Sequence, residues 1–229
     1  MKYTVIGGQG FIGSNIVELL KKQGHDVWVP EKNNKDVLVK PLGIVIYAAG
    51  HGDCNKNPLK VFHSNLGYLV DVIEKASFDK FIYISSTRVY MNQESSDENC
   101  NLTICHNDSR ALFNLTKLTA ENLVLSVLDN SVVVRPSNVY GLALNSDLFL
   151  PSIIRDAVNN GVVNMYVQPN YAKDYVSVDD VADVISQLST RNDCMGDVIN
   201  IASGENVSAL DIANGLKKNT TCDVKWHGN

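Results

Sequence analysis

Nothing in this chain pairs its cysteines: Cys54, Cys100, Cys105, Cys194 and Cys222 are odd in number, and no two stand as CxxC. That absence argues against a disulfide scaffold and a zinc site, so no metal is expected, and free thiols fit a reducing cytoplasm. Long apolar runs are missing too. None approaches the roughly 18 residues needed to span a bilayer, so no membrane partner is expected. The opening residues, MKYTVIGGQGFIGS, hold one lysine and an apolar stretch broken by glycines, which reads as a strand and turn rather than a signal peptide. No dense basic run occurs and the net charge is −5, which argues against a nucleic-acid surface. At 229 residues with 45% hydrophobic and 20% charged residues, one substantial core, or a main core with a small appended lobe, is within reach.

Apolar strands alternate with amphipathic helices. Strands are expected at Lys2–Ile6, Asp26–Val29, Gly43–Ala49, Lys80–Ser85 and Ser131–Arg135, with helices at Phe11–Gln23, Pro58–Ala76 and Ser109–Leu128. The stretch between Glu31 and Gly43 leaves room only for a remnant strand near Asp36–Val39. Such alternation predicts an α/β fold, a Rossmann-like doubly wound parallel sheet covered on both faces. After Pro136 the pieces shorten: a helix near Leu150–Asn160, a strand at Val162–Val167, a helix near Asp179–Leu188, the strand VINIA and a helix at Ala209–Lys218. Residues 1–140 are therefore expected to form the Rossmann domain, with later segments returning to it. Residues 141–229 are expected to supply mixed segments of a reduced C-terminal substrate lobe.

The first strand runs directly into Gly7-Gly-Gln-Gly10-Phe11-Ile12-Gly13 and then a helix. One glycine permits the tight turn, one lets backbone approach a pyrophosphate, and one lets helix and strand pack closely. Free N–H groups at the helix start then face the phosphates. Glu31 ends the second strand about 20 residues on, where a carboxylate holds ribose hydroxyls. An acid there, with Ser14 rather than arginine after the last glycine, favours NAD over NADP.

The chain resembles the extended short-chain dehydrogenases/reductases that act on nucleotide sugars. The resemblance runs nearly end to end through GGQGFIGS, VIYAAG, Asn65, SSTRVY, FNLTK, RPSNVYG, KDYVSVDDVA and VINIASGENVS. It implies NAD contacts from Ala48, Ala49, Gly50 and Pro136 in addition to the glycine turn. A nucleotide-sugar substrate is implied as partner, met by Ser86, Thr87, Arg88, Asn138 and Lys173, with Arg135 and Tyr140 from neighbouring segments. His51 and Asp53 follow a strand's carboxyl end and are within reach of nicotinamide or sugar. Asp174 and Asp180 are expected to be a capping and packing pair. A homodimer formed by pairing the two long helices of each subunit is implied by the same likeness.

In that family a Tyr-x-x-x-Lys pair transfers the proton, the lysine holding the nicotinamide ribose, while a Ser or Thr binds the same sugar oxygen. Ser86 and Lys117 occupy two of these posts. Phe113 occupies the third, and benzene has no ionisable proton. Three explanations stand: a phenylalanine introduced for tyrosine to trap ligand, a different acid or base such as Lys117, Tyr90 or His106, or an NAD-binding regulator or partner subunit without turnover. Leu112, Leu115, Leu118, Leu123 and Val127 read as lying on or near a single face of that helix; taken alone, Phe113 reads as core and Lys117 as reaching water along its stem, whereas the likeness puts Lys117 at a partly buried position on the nicotinamide ribose. The activity implied is that of an epimerase, dehydratase or reductase.

Overall fold

In the computed structural model, which describes residues 1–32, 34–142 and 148–228, the chain divides into two units. The first comprises Met1–Ser137 with Asp179–Ile201, the second Asn138–Val178 with Ala202–Asn229.

The first unit is built on β1 (Lys2–Ile6), α1 (Phe11–Lys22), β2 (Asp26–Trp28), β3 (Ile44–Tyr47), α2 (Pro58–Phe62), α3 (Tyr68–Lys75), β4 (Lys80–Ile84), α4 (Ala111–Val127) and β5 (Ser131–Pro136). Its sixth strand, β9 (Val198–Ile201), comes late in the chain after α6 (Val178–Thr190). All pairings are parallel and the order is β2-β1-β3-β4-β5-β9. Every residue of β3, β4 and β5 is buried, as a parallel sheet covered on both faces requires. Strand order reverses beside β1, and in doubly wound sheets ligands bind at the carboxyl ends of the strands there. Three tyrosines, Tyr3, Tyr47 and Tyr83, are fully buried in the sheet, and Tyr47 and Tyr83 lie 5.9 Å apart by ring centroids.

Two expectations are corrected here. The segment at Asp36–Val39 is not a strand but a 3-10 turn, Lys35–Leu38, started by Asn34 whose Oδ1 accepts from Asp36 N at 2.9 Å. One turn suffices to bury Val37 in the core, so no strand is needed. The expected helix Pro58–Ala76 is interrupted by a π-helical turn, His63–Gly67, that carries the fully buried Asn65. Such turns widen a helix to accommodate a side chain, and hydrophobic periodicity does not reveal them.

The second unit holds β6 (Asn138–Tyr140), α5 (Phe149–Asn160), β7 (Val162–Met165), β8 (Ala172–Ser177), β10 (Asn206–Ser208), α7 (Ala209–Thr220) and β11 (Asp223–Trp226). Strands β10-β8-β6 form one small sheet, and β7 pairs with β11 in parallel. Four of these strands, β6, β8, β10 and β11, are too short or too polar to read from the sequence. A core of Ile153, Ala157, Val163, Met165, Ala209, Ala213 and Cys222 joins α5, α7, β7 and β11. Ser208 and Asp211 form a reciprocal capping box that starts α7. Asp174 accepts from Ser203 N, Ser203 Oγ and Gly204 N at 3.1, 2.8 and 2.8 Å, holding that turn, while Asp180 sits in the first turn of α6.

Candidate active site

At the carboxyl ends of β1 and β3 lies a cleft of about 1050 Å³. Gly7, Gly10, Glu31, Ala48, Ala49, Gly50 and His51 line it. Gly7 has φ +84°, and a Cβ there would come within 2.5 Å of Ala49 N, so only glycine lets the turn lie against the end of β3. Gly10 is the N-cap of α1 and no side chain caps the helix. Phe11, Ile12 and Gly13 therefore present first-turn N–H groups without intrahelical partners. A Cβ on Gly10 would meet only Gly7 O, at 3.3 Å, and otherwise point into open space. An uncapped helix start beside a glycine cradle fits a dinucleotide pyrophosphate. Glu31 and its neighbour Lys32 are both exposed at the rim.

The opposite wall comes from α2, the π-helical turn and α3, through Lys60, His63, Ser64, Tyr68 and Asp71. Sequence reasoning assigned these residues no role, because nothing in a helix's apolar period tells which polar side chains border a ligand. Asn65 ties this wall to the rest. Its Oδ1 accepts from His51 N at 2.8 Å, and its Nδ2 donates to His51 O at 3.2 Å and Thr116 Oγ1 at 3.0 Å. His51 is thus fixed by its backbone, with its ring Nε2 buried and unpartnered. Burial, then Lys60, lower the His51 pKa against the opposing pull of Asp53, so the imidazole is neutral near pH 7.

Helix α4 packs against α2, the π-helical turn and α3 without lining the cleft itself, so Ser86, Phe113 and Lys117 lie outside its lining, and the expected face of that helix is wrong. Leu115 and Val127 are 48% and 55% exposed, while the buried residues are Asn114, Thr116, Lys117, Ala120, Glu121 and Val124. The stripe turned inward is largely polar because each group finds specific partners inside, which hydrophobic periodicity cannot detect. Lys117 does not reach water. It is 5% exposed, donates from Nζ to Ile84 O at 2.8 Å, lies 4.8 Å over the Tyr83 ring, and would stand 3.6 Å from a Cβ on Gly50. Burial pulls its pKa down to about 8, against the attraction of Glu121.

Phe113 is half-buried one turn earlier, with Lys117 Nζ 6.0 Å and the Arg110 guanidinium carbon 4.6 Å from its ring centroid. Ser86 ends the loop after β4 and its Oγ accepts from Arg88 N at 3.2 Å, starting the 3-10 turn Thr87–Tyr90. A hydroxyl that accepts one bond still has its proton to donate. Arg88 forks onto Asp108 at 2.7 and 2.8 Å.

Two alternative proton carriers are otherwise engaged or remote. Tyr90 OH accepts from Arg135 Nη1 at 2.6 Å and donates to Asn200 Oδ1 at 2.9 Å, and burial raises its pKa despite Arg135. His106 is exposed and does not line the cleft. Arg135 is also removed from the substrate side, since its guanidinium is buried on Glu121. Pro136 ends β5 opposite Ile201. Asn138 and Lys173 belong to the second unit, where Asn138 Nδ2 donates to Asp174 O at 2.8 Å and Lys173 Nζ lies 5.2 Å over the Tyr171 ring. Among the described residues, no three His, Cys, Asp or Glu side chains converge as a metal site, and no helix is long and apolar enough to cross a membrane.

Comparison with known proteins gives the family and the fold. The model of the NAD dependent epimerase/dehydratase family matches residues 3–202. A dTDP-D-glucose 4,6-dehydratase of Dictyostelium discoideum is 23% identical over 93% of this chain and 60% of its own length, so the chain spans less than two thirds of that relative. A GDP-6-deoxy-D-talose 4-dehydrogenase of Aggregatibacter actinomycetemcomitans is 27% identical over 99% of the chain and 81% of its own. The fold is also that of a dTDP-glucose 4,6-dehydratase of Bacillus anthracis solved with NAD, with a TM-score of 0.82, 16% identity, and coverage of 100% of this chain and 85% of the other. With its Rossmann sheet, its glycine cradle and a family match over most of its length, this chain belongs to the NAD-dependent epimerase/dehydratase family, whose cofactor is NAD.

Proposed function

We propose that the chain binds NAD and a nucleotide sugar and carries out hydride transfer at a sugar carbon, as an epimerase, dehydratase or reductase does. The observation that carries this is the Lys117 ammonium, buried behind Gly50, which lines the cleft, and held at a pKa of about 8. A buried lysine with one protein acceptor has donors left for ribose hydroxyls. NAD, when bound, takes up and returns the hydride. Gly7, Gly10 and the first turn of α1 hold its phosphates, Glu31 its adenosine ribose, and Ala48, Ala49 and Gly50 the strand end over which it lies. Ser86 donates its free hydroxyl proton to the sugar oxygen, with Thr87 and Arg88 in the same turn. Phe113 moves no proton. The proton passes through Lys117, which exchanges it near neutral pH and is charged or neutral in comparable amounts at about pH 8.

Phe113 also supports a second reading, an NAD-binding regulator that binds without turnover. Asn138 and Lys173 of the second unit are assigned to the substrate by the family likeness alone. Exposed apolar side chains on the first unit's helices, Leu59, Phe62, Val70, Leu115 and Val127, support pairing of two copies.

Phe113→Tyr tests the assignment. Adding a phenol next to Lys117 should raise turnover by roughly 10²–10⁴, the usual share of a positioned acid or base, and Lys117→Met in that background should erase the gain. Absorbance of reduced cofactor and product formation over a panel of sugar nucleotides measure it. Unchanged activity with NAD demonstrably bound would favour the regulator.

A further inference from the structure

Five buried side-chain atoms have no hydrogen-bond partner among the described residues, and three of them cluster: Arg88 Nε, Arg110 Nε and Asn114 Oδ1. All three side chains belong to residues tied to one carboxylate. Asp108 accepts two bonds from Arg88 Nη2, one from Arg110 N at 2.9 Å and one from Asn114 Nδ2 at 3.1 Å. Its lone pairs are fully used, and its single negative charge answers two guanidiniums. Arg110 is the uncompensated one. Its guanidinium carbon lies 4.6 Å over the Phe113 ring, and Nη2 would stand 2.9 Å from a Cβ on Gly52, so the guanidinium lies against the loop after β3. Burial and the neighbouring Arg88 lower its pKa, and Cys54 and Asp108 offset this in part.

We propose that Arg110, stacked on Phe113 and anchored with Asn114 to Asp108, forms an oxyanion subsite that reads the carboxylate of a nucleotide-linked uronic acid. This rests on the proposed function, which puts the sugar next to position 113. A planar guanidinium fork matches a carboxylate in a way an ammonium does not. Asn114 Oδ1 supplies a buried acceptor for a sugar hydroxyl next to that carboxylate, so the cluster offers both donors and an acceptor. Position 113 then has a use without a phenol: a flat apolar ring supports the guanidinium from one face.

Calorimetry on the NAD-loaded full chain with UDP-glucuronate, UDP-glucose and UDP tests the subsite, with thymidine-linked counterparts in parallel. UDP-glucuronate should bind about 10- to 100-fold tighter than UDP-glucose, the range expected for a charge-assisted bond. Arg110→Met should abolish that preference while UDP-glucose and NAD affinities hold, and Arg110→Lys should restore part of it. Equal binding of the two sugars by the native chain overturns the inference without any variant. An Arg110→Met chain that loses UDP and UDP-glucose equally overturns it as well, because the oxyanion is then the diphosphate. Binding of none of the probes overturns the proposed function and the subsite together.

Discussion

Two buried lysines, Lys80 and Lys117, are each 5% exposed, yet their surroundings differ. Lys80 Nζ donates to Ser189 O, Arg191 O and Asn192 Oδ1, at 3.1, 2.6 and 3.0 Å, so every donor is used. Lys117 has one such bond, to Ile84 O. Two arginines repeat the contrast. Arg135 is held by both oxygens of Glu121 and by Tyr90, and Ser85 Oγ donates to the same carboxylate. Arg110 keeps a buried Nε with no partner. A buried cation whose every nitrogen has a partner is architecture, whereas one left short retains binding capacity at a desolvation cost. Both under-supplied cations lie on or just before the amino-terminal half of α4, and both supplied ones lie on sheet strands, Lys80 on β4 and Arg135 on β5.

The largest effect should come from breaking the saturated side. Arg135→Met strands the Glu121 carboxylate, removes the partner of Tyr90 OH, and should cost about 3–5 kcal/mol of unfolding free energy. Urea denaturation measures it, and a loss near zero would mean the pair is structurally idle. Because the break sits on the sheet and not in the cleft, NAD affinity should fall only as far as folding does.

Lys117→Met should act in the opposite direction. A lysine whose pKa falls from 10.5 to about 8 on folding opposes folding wherever it must stay charged. The unfolded chain holds more protons between these values, so stability rises with pH across that window and the full penalty applies below pH 8. Removing the charge should therefore stabilise the chain at pH 7 by up to ~3 kcal/mol, at 1.36 kcal/mol per pKa unit. The gain should fade toward pH 10.5. NAD affinity should drop in the same variant, and a stability scan alongside a cofactor titration separates the two. Stability that is lost at pH 7, or a gain independent of pH, would put Lys117 with the architectural cations.

At the rim, where water already satisfies the side chains, the effect should be smallest. Glu31 repels a 2′-phosphate and accepts from a free ribose diol, so NAD should bind ~10-fold tighter than NADP, about 1.4 kcal/mol. Glu31→Gln should bring the two close together, since Lys32 beside it attracts phosphate. Titration of both cofactors decides this, and equal affinities in the native chain would remove Glu31 from the site.

Much of the first unit could be read before any coordinates. The order of strands and helices, the glycine turn between β1 and α1, and Lys117 at a partly buried place on the helix after β4 all followed from local pattern or from the family likeness. The buried face of α4 did not. Leu115 and Val127 looked like core by spacing and are exposed, while Asn114 and Glu121 are buried. A polar side chain is buried only where a partner waits, and those partners, Asp108, Ser85 and Arg135, come from other segments. The π-helical turn around Asn65 escaped for the same reason: its three bonds reach His51 and Thr116, on the loop after β3 and on α4.

By itself, the sequence determined the class of fold and the glycine turn between the first strand and helix. Strand burial, helix period and the glycine demanded by a positive φ are local properties, written where they act. Only the tertiary structure decided which cations are spent and which are available. Whether Arg135 or Arg110 keeps an unpartnered nitrogen depends on carboxylates and carbonyls brought in from distant parts of the chain, and on water being excluded around them. Phe113 shows the division most clearly. Its identity, set against the family likeness, raised the question of a missing proton carrier, and only packing revealed that a guanidinium lies over its ring.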